Sequence, residues 1–198
     1  IGRYLIGTKE KGMIIKPTAT IGIDAYPDAD FAGLYGYEDN NDPICVRSCM
    51  GYVITVARCP IFWSSKLQTE TATSTMEAEI IALGSCCREL LPIISLVDES
   101  GFAVGIKNPD DNDSNSSTMH VTIHEDNLGA LILATTPPPQ FTPRSKHYAI
   151  KTIWFREQII EKKIKVVPIE TGLQLGDIFT KMPPQVTFEF LRNLLQGW

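Results

Sequence analysis

Runs of different periodicity follow one another along this chain, and an acidic residue stands at the edge of four of them. Asp28 lies in the strand-like run Tyr26-Pro27-Asp28-Ala29-Asp30-Phe31, and Glu79 opens the helical run from Ser74 to Leu83. Asp126 follows the alternating run Met119 to Glu125, and Asp177 starts a late helical run in Gln174-Leu175-Gly176-Asp177-Ile178-Phe179-Thr180-Lys181. Strand side chains alternate between faces and helical ones recur every three to four residues, so each acid belongs to a different regular element. Carboxylates spread this way are expected to converge in space and to hold metal ions.

The elements themselves can be read from pattern. A short helix and linker occupy the first 19 residues, a strand runs from Ile21 to about Asp28, and Glu38 to Pro43 is a loop of strong breakers. Strands over Gly51 to Ala57 and Ile61 to Ser64 are joined by Arg58-Cys59-Pro60, short enough for a hairpin. Ser74 with Glu77 three residues on forms a capping box. Met76, Ile80, Leu83, Cys87, Leu90 and Leu91 then recur at helical spacing; Pro92 is expected to end or kink that helix, with Ile93 to Glu99 continuing as another turn or two. Gly105 to Thr118 is a polar loop, followed by a helix over Asn127 to Ala134 and the Pro137-Pro138-Pro139 break. A helix over Lys146 to Lys162, a strand over Ile164 to Ile169 and helices over Leu173 to Lys181 and Val186 to Leu195 complete the chain. This order predicts an α/β fold with a single mixed β-sheet flanked by helices.

With 198 residues, 43% of them hydrophobic, the chain can build one proper core. It has no uninterrupted apolar run of the roughly eighteen residues that a bilayer span needs, and no membrane partner is expected. The opening lacks a Met and begins abruptly, as a piece of a longer protein would. Five cysteines without zinc-finger spacing are expected to be buried thiols. The net charge of −5 is unevenly spread: residues 142–165 hold seven Lys/Arg against two acids, a net +5, while the rest, with 11 basic and 21 acidic residues, is −10. A local basic face for nucleic acid is therefore compatible with an acidic chain.

The four acidic segments, together with Gly51-Tyr52-Val53-Ile54, Trp63-Ser64-Ser65-Lys66-Leu67-Gln68-Thr69 and Arg144-Ser145-Lys146-His147, closely resemble the ribonuclease H domain at the C-terminal end of copia-type retrotransposon polyproteins. The match covers nearly the whole chain. Gly2-Arg3-Tyr4-Leu5 and Gly7-Thr8-Lys9 look like the tail of the preceding reverse transcriptase region. The resemblance thus divides the chain into that tail and linker (1–19), a ribonuclease H-like domain (20–182) and a C-terminal helical extension (183–198).

The resemblance implies a ribonuclease H-like fold and an endonuclease that hydrolyses the RNA strand of RNA–DNA hybrids during reverse transcription. It implies Asp28, Glu79, Asp126 and Asp177 as catalytic ligands of two Mg²⁺ ions, with Mn²⁺ as a substitute. The implied partners are the hybrid and the reverse transcriptase region of the same polyprotein, and the implied location is intracellular, in cytoplasmic virus-like particles. Asp24 and Asp30 share a strand face with Asp28 and are its rivals; the family's first motif favours Asp28. Glu77 and Glu79 cannot face one point of a helix, and Glu79 lies toward Leu83 and the sheet.

Hydroxyls and cations of the kind that contact phosphates are supplied by Ser64, Ser65, Lys66, Arg144, Lys146 and His147, with Asn127 beside the third acid. Trp63 is expected in the core, and His120 and His124 as satisfied strand residues. Several positions depart from the family: Cys49 and Met50 stand for Arg and Thr, Gly176 for Ala, Thr152-Ile153 for Tyr-His, and Arg58 for a turn Gly. These departures keep a rival open, a catalytically inactive remnant that binds hybrid or a polymerase region. An integrase-like enzyme of the same fold lacks an early-helix Glu, so Glu79 speaks against it.

Overall fold

The structure, a computed structural model, describes residues 2–18, 22–39, 41–100, 120–136 and 146–198, the last span with side chains from residue 152. After α1 (Gly2–Thr8) come three antiparallel strands, β1 (Gly22–Asp30), β2 (Cys49–Val56) and β3 (Cys59–Leu67). Helix α2 (Thr75–Glu99), β4 (His120–Glu125), α3 (Leu128–Thr135), α4 (Lys146–Glu161) and β5 (Lys165–Pro168) follow. Two 3-10 turns, Thr171–Leu173 and Leu175–Phe179, precede α5 (Gln185–Gln196). The sheet order is β3-β2-β1-β4-β5, with β4 parallel to both β1 and β5. This is the single mixed sheet expected from the pattern, and β1 is its central strand.

Alternation divides the core into two layers. Ile23, Ala25, Tyr52, Ile54 and Ile123 pack with Ile80, Leu83, Cys87 and Leu90 of α2, and with Phe155 and Ile159 of α4. On the opposite face, Val53 packs with Leu175, Leu191 and Leu195, with Tyr26 and Phe179 half-buried against them. The five cysteines are free thiols, and Cys45, Cys59, Cys86 and Cys87 are buried. Ser74 caps α2 by accepting from the Glu77 N–H at 3.1 Å, while the Glu77 carboxylate reaches back to the Thr73 N–H at 2.7 Å.

Two expectations, those for Trp63 and Asp177, need correction. Helix α2 runs through Pro92 to Glu99, so the turns expected over Ile93 to Glu99 belong to one continuous helix; Pro92 is on the exposed side, and burial of Ile94 holds the helix beyond it. By length and mean composition the same helix is apolar enough to cross a membrane, although charged residues interrupt it; here its apolar face is the core of the sheet. Trp63 is 53% exposed rather than buried, because β3 is an edge strand and the cover provided by α5 centres on its neighbour Val53. Asp177 lies in a 3-10 turn, not in a regular helix.

The hairpin between β2 and β3 turns on Ala57 and Arg58, both left-handed at φ +50° and +66°. Residues 2–18 lie against the C-terminal helix: the Ile14 N–H donates to Gln196 O at 3.0 Å and the Trp198 indole N–H to Gly12 O at 2.8 Å.

Candidate active site

Three of the four acids meet at one end of the sheet. Donor oxygens of Asp28, Glu79 and Asp126 all lie within 4.8 Å of one another. Asp28 comes from the central strand and is fully buried; Asp126 immediately follows β4, and Glu79 projects from the first turns of α2 with 7% of its surface exposed. Asp24, the rival on the strand, is instead engaged by His124 Nε2 at 2.9 Å, and the His124 ring stacks on Tyr26. Asp30 lies outside the trio, although burial pushes its carboxyl up, with Lys181 pulling against this and Asp28 adding to it.

The fourth acid joins through a cation. Lys181 Nζ donates to Asp177 Oδ1 at 2.8 Å and to Asp28 Oδ1 at 3.2 Å, and the Thr180 hydroxyl donates to Asp28 Oδ2. Asp177 is therefore beside Asp28 but linked to it by Lys181 rather than grouped directly with the trio.

Two glycines allow this turn to sit on the sheet. A Cβ on Gly176 would stand 2.7 Å from Tyr26 O and 2.8 Å from Asp28 Cβ, and one on Gly51 would stand 2.6 Å from Phe179 Cβ. Gly176 is thus a close-approach position rather than a loosened helix residue. The buried Gln174 amide adds the tether, donating to Pro27 O at 3.0 Å and His124 O at 3.2 Å while accepting from the Gly176 N–H.

Crowding of like charge shows in the protonation equilibria. Burial, then Asp28, Glu125 and Asp126, push the Glu79 carboxyl up to about 10 against the pull of Lys181. Burial pushes Glu125 up to about 8, opposed by the Asn127 N–H. Asp28 is also raised, by burial first, with Lys181 and Thr180 working against the shift and Asp177 with it. For Lys181 burial acts downward, but Asp28 and Asp177 outweigh it and hold the ammonium above its ordinary value.

The donor set fits a hard divalent cation. It consists of carboxylate oxygens, which suit Mg²⁺, Mn²⁺ or Ca²⁺ better than softer metals. Glu79 Oε2 is buried without a hydrogen-bond partner, an expensive state for a polar atom unless a cation completes it.

The other expected residues are more dispersed. Ser65 is exposed on β3 and its hydroxyl donates to Phe179 O at 2.5 Å, holding the turn that carries Asp177. Ser64 is half-buried, and Lys66 lines a cleft of about 290 Å³ with Arg88 and Glu70. Asn127 caps α3 by accepting from the Ala130 N–H at 3.1 Å. Arg144 and the side chains of Lys146 and His147 lie outside the described residues; Lys146 opens α4. Pattern reading missed Thr180, Lys181 and Gln174; the buried Glu125 was weighed against Asp126, which sits beside Asn127. The spacing of Asp177 and Lys181, four apart, was the available signal.

No family model matches the chain. Over 187 residues, 94% of its length, it is 34% identical to the retrovirus-related Pol polyprotein from transposon RE2 of Arabidopsis thaliana. It is 33% identical over 187 residues, again 94% of its length, to that from transposon RE1 of the same plant. The corresponding polyprotein from transposon TNT 1-94 of Nicotiana tabacum is 28% identical over 193 residues, 98% of the chain. The chain spans 11% of the first two and 13% of the third. LC11-RNase H1, isolated from compost by a metagenomic approach, superposes with a TM-score of 0.50 at 16% identity, covering 89% of this chain and 94% of that one. The chain is a homologue of transposon Pol polyproteins with a ribonuclease H fold. In this Pol-type segment the acidic trio stands at the end of the central strand pair, on a sheet whose architecture it shares with a ribonuclease H.

Proposed function

We propose that this segment is a metal-dependent endonuclease that hydrolyses the RNA strand of RNA–DNA hybrids during retrotransposon reverse transcription. The observation that carries the reading is the convergence of Asp28, Glu79 and Asp126 within 4.8 Å on a ribonuclease H fold. Asp28, Glu79, Asp126 and Asp177 would hold Mg²⁺, two ions in the full reading, with Mn²⁺ as a substitute. When bound, the metal supplies an activated water and stabilises charge on the phosphate oxygens.

The remaining work falls to the chain's own residues. Thr180 and Lys181 hold Asp28 in place, and Gln174 fixes the turn bearing Asp177. Ser64, Lys66, Asn127, Arg144, Lys146 and His147 are proposed to engage the hybrid through phosphates and 2′-hydroxyls, a recognition of shape rather than sequence. Ser65 contributes by positioning the Asp177 turn. The reading places the reverse transcriptase region of the same polyprotein as the partner and cytoplasmic virus-like particles as the setting.

A second reading, an inactive remnant that keeps the fold and binds hybrid or polymerase, is favoured by one observation. Cys49 stands where the family places an Arg, and its thiol lies against Phe179 O at 3.8 Å beside the Asp177 turn, so that a substrate-facing cation is missing there.

Cleavage of end-labelled RNA annealed to DNA, in Mg²⁺ or Mn²⁺, separates the two. Cutting by the parent but not by Asp126→Asn, with DNA and single-stranded RNA spared, is the expected result. A folded protein that binds hybrid and cuts with neither metal supports the remnant.

A further inference from the structure

Both oxygens of the buried Asp28 carboxylate are already engaged. Oδ2 accepts from the Thr180 hydroxyl and Oδ1 from Lys181 Nζ. A carboxylate has about four lone-pair sites, so the count of bonds does not exclude a cation; the charge of the donor decides which bond can stay. The hydroxyl is neutral and compatible with a neighbouring cation. The ammonium is not: a second positive charge at ligand distance from Asp28 would be repelled by it.

Lys181 is also built to move. Its side chain is 35% exposed, whereas Asp28 is fully buried, and a flexible four-carbon stem lets the ammonium exchange a buried partner for water. It has a second anchor in Asp177, at 2.8 Å and four residues away in its own segment, so it can release Asp28 to an ion held with Glu79 and Asp126 and keep a partner until a second ion claims Asp177. Glu79 Oε2, in contrast, lacks a hydrogen-bond partner, so the lysine serves the Asp28 end of the site and not the Glu79 end.

We propose that Lys181 is a built-in stand-in cation, which holds Asp28 and Asp177 together while no metal is bound and must withdraw from Asp28 when a divalent ion enters, so that lysine and metal compete for one carboxylate. This rests on the metal-site reading above. It makes Lys181 a positioning residue of the metal-free state that lowers metal affinity, whereas a lysine that merely arranged the ligands would raise it.

The sign of that effect is the test. Mn²⁺ is titrated into the metal-free full chain and into Lys181→Gln, Lys181→Arg and Asp126→Asn, with binding followed by calorimetry and by loss of the free Mn²⁺ spectroscopic signal. Lys181→Gln is expected to bind Mn²⁺ about tenfold more tightly than the parent and to melt at a lower temperature in EDTA. Lys181→Arg is expected to retain the parent's weaker affinity. Equal or weaker binding by Lys181→Gln overturns the proposal.

A second measurement needs no variant. The reactivity of Lys181 toward an amine-acylating ester, read by mass spectrometry against exposed Lys9 and Lys66, is expected to rise with saturating Mn²⁺, because an ammonium that leaves the buried Asp28 carboxylate becomes more accessible to the reagent. No rise, or protection, overturns the proposal even if Lys181→Gln fails to fold. Binding that Asp126→Asn abolishes but Lys181→Gln leaves unchanged removes this inference alone. A parent that binds no Mn²⁺ removes the metal-site reading and this inference with it.

Discussion

Asp28, near the end of β1, and Asp126, the first residue after β4, stand level with one another on neighbouring parallel segments. The last paired residues are Ala25 and Ile123, and each acid lies three positions further on. Beyond that pairing, the Gln174 amide spans the gap by donating to Pro27 O and His124 O. The parallel register, rather than any local motif, therefore sets the spacing of these two carboxylates.

Replacing Gln174 with Ala is expected to destabilise the fold by about 3 kcal/mol, because it orphans two strand carbonyls and the Gly176 N–H in a buried place. Urea denaturation in EDTA measures this. A midpoint within error of the parent's is evidence that water replaces the amide at no cost.

Gly176→Ala is expected to cost about 1–3 kcal/mol by overpacking, since the added Cβ meets Tyr26 O at 2.7 Å and Asp28 Cβ at 2.8 Å. The result discriminates sharply, because copia-type relatives are expected to carry Ala at this position. A stabilised Gly176→Ala protein is the contrary result.

Arg58→Gly should stabilise the chain by about 1 kcal/mol, the cost of a left-handed non-glycine residue. Arg58 is at φ +66° in a two-residue hairpin turn, where Gly meets no Cβ penalty. An upward shift of the thermal midpoint is the expected outcome, and a downward shift means that the Arg58 side chain contributes more than the backbone loses.

Glu79 links stability to pH. Its carboxyl is raised from an ordinary 4.5 to about 10, so the folded state holds a proton that the unfolded state releases. The contribution of Glu79 to metal-free stability is therefore full below about pH 4.5 and is lost as pH rises toward about 10. Glu79→Gln, which cannot ionise, is expected to be the more stable protein in EDTA, with an advantage that grows from pH 5 to pH 8. Added Mg²⁺ should stabilise the parent more at pH 8 than at pH 6 and should help the variant little. Parallel pH profiles for the two proteins are the contrary result.

The order of strands and helices, the capping of α2 by Ser74 and the inward aim of Glu79 over Glu77 were all legible in the sequence, because each follows from periodicity within one segment. The same local reasoning named Asp28 and Asp126 as edge-of-element acids. It misplaced Trp63 and gave Asp177 a regular helix, since exposure on an edge strand and the shape of a late turn depend on what packs alongside. Register and close approach are relations between segments far apart in the chain, and pattern does not encode them. Only the tertiary structure brought the Gly176 turn against Asp28, tied it down through Gln174 and set Lys181 between two carboxylates 149 positions apart. The physical reason is that a buried carboxylate must find its partners wherever the fold presents them, and here the fold presents them from the far end of the chain.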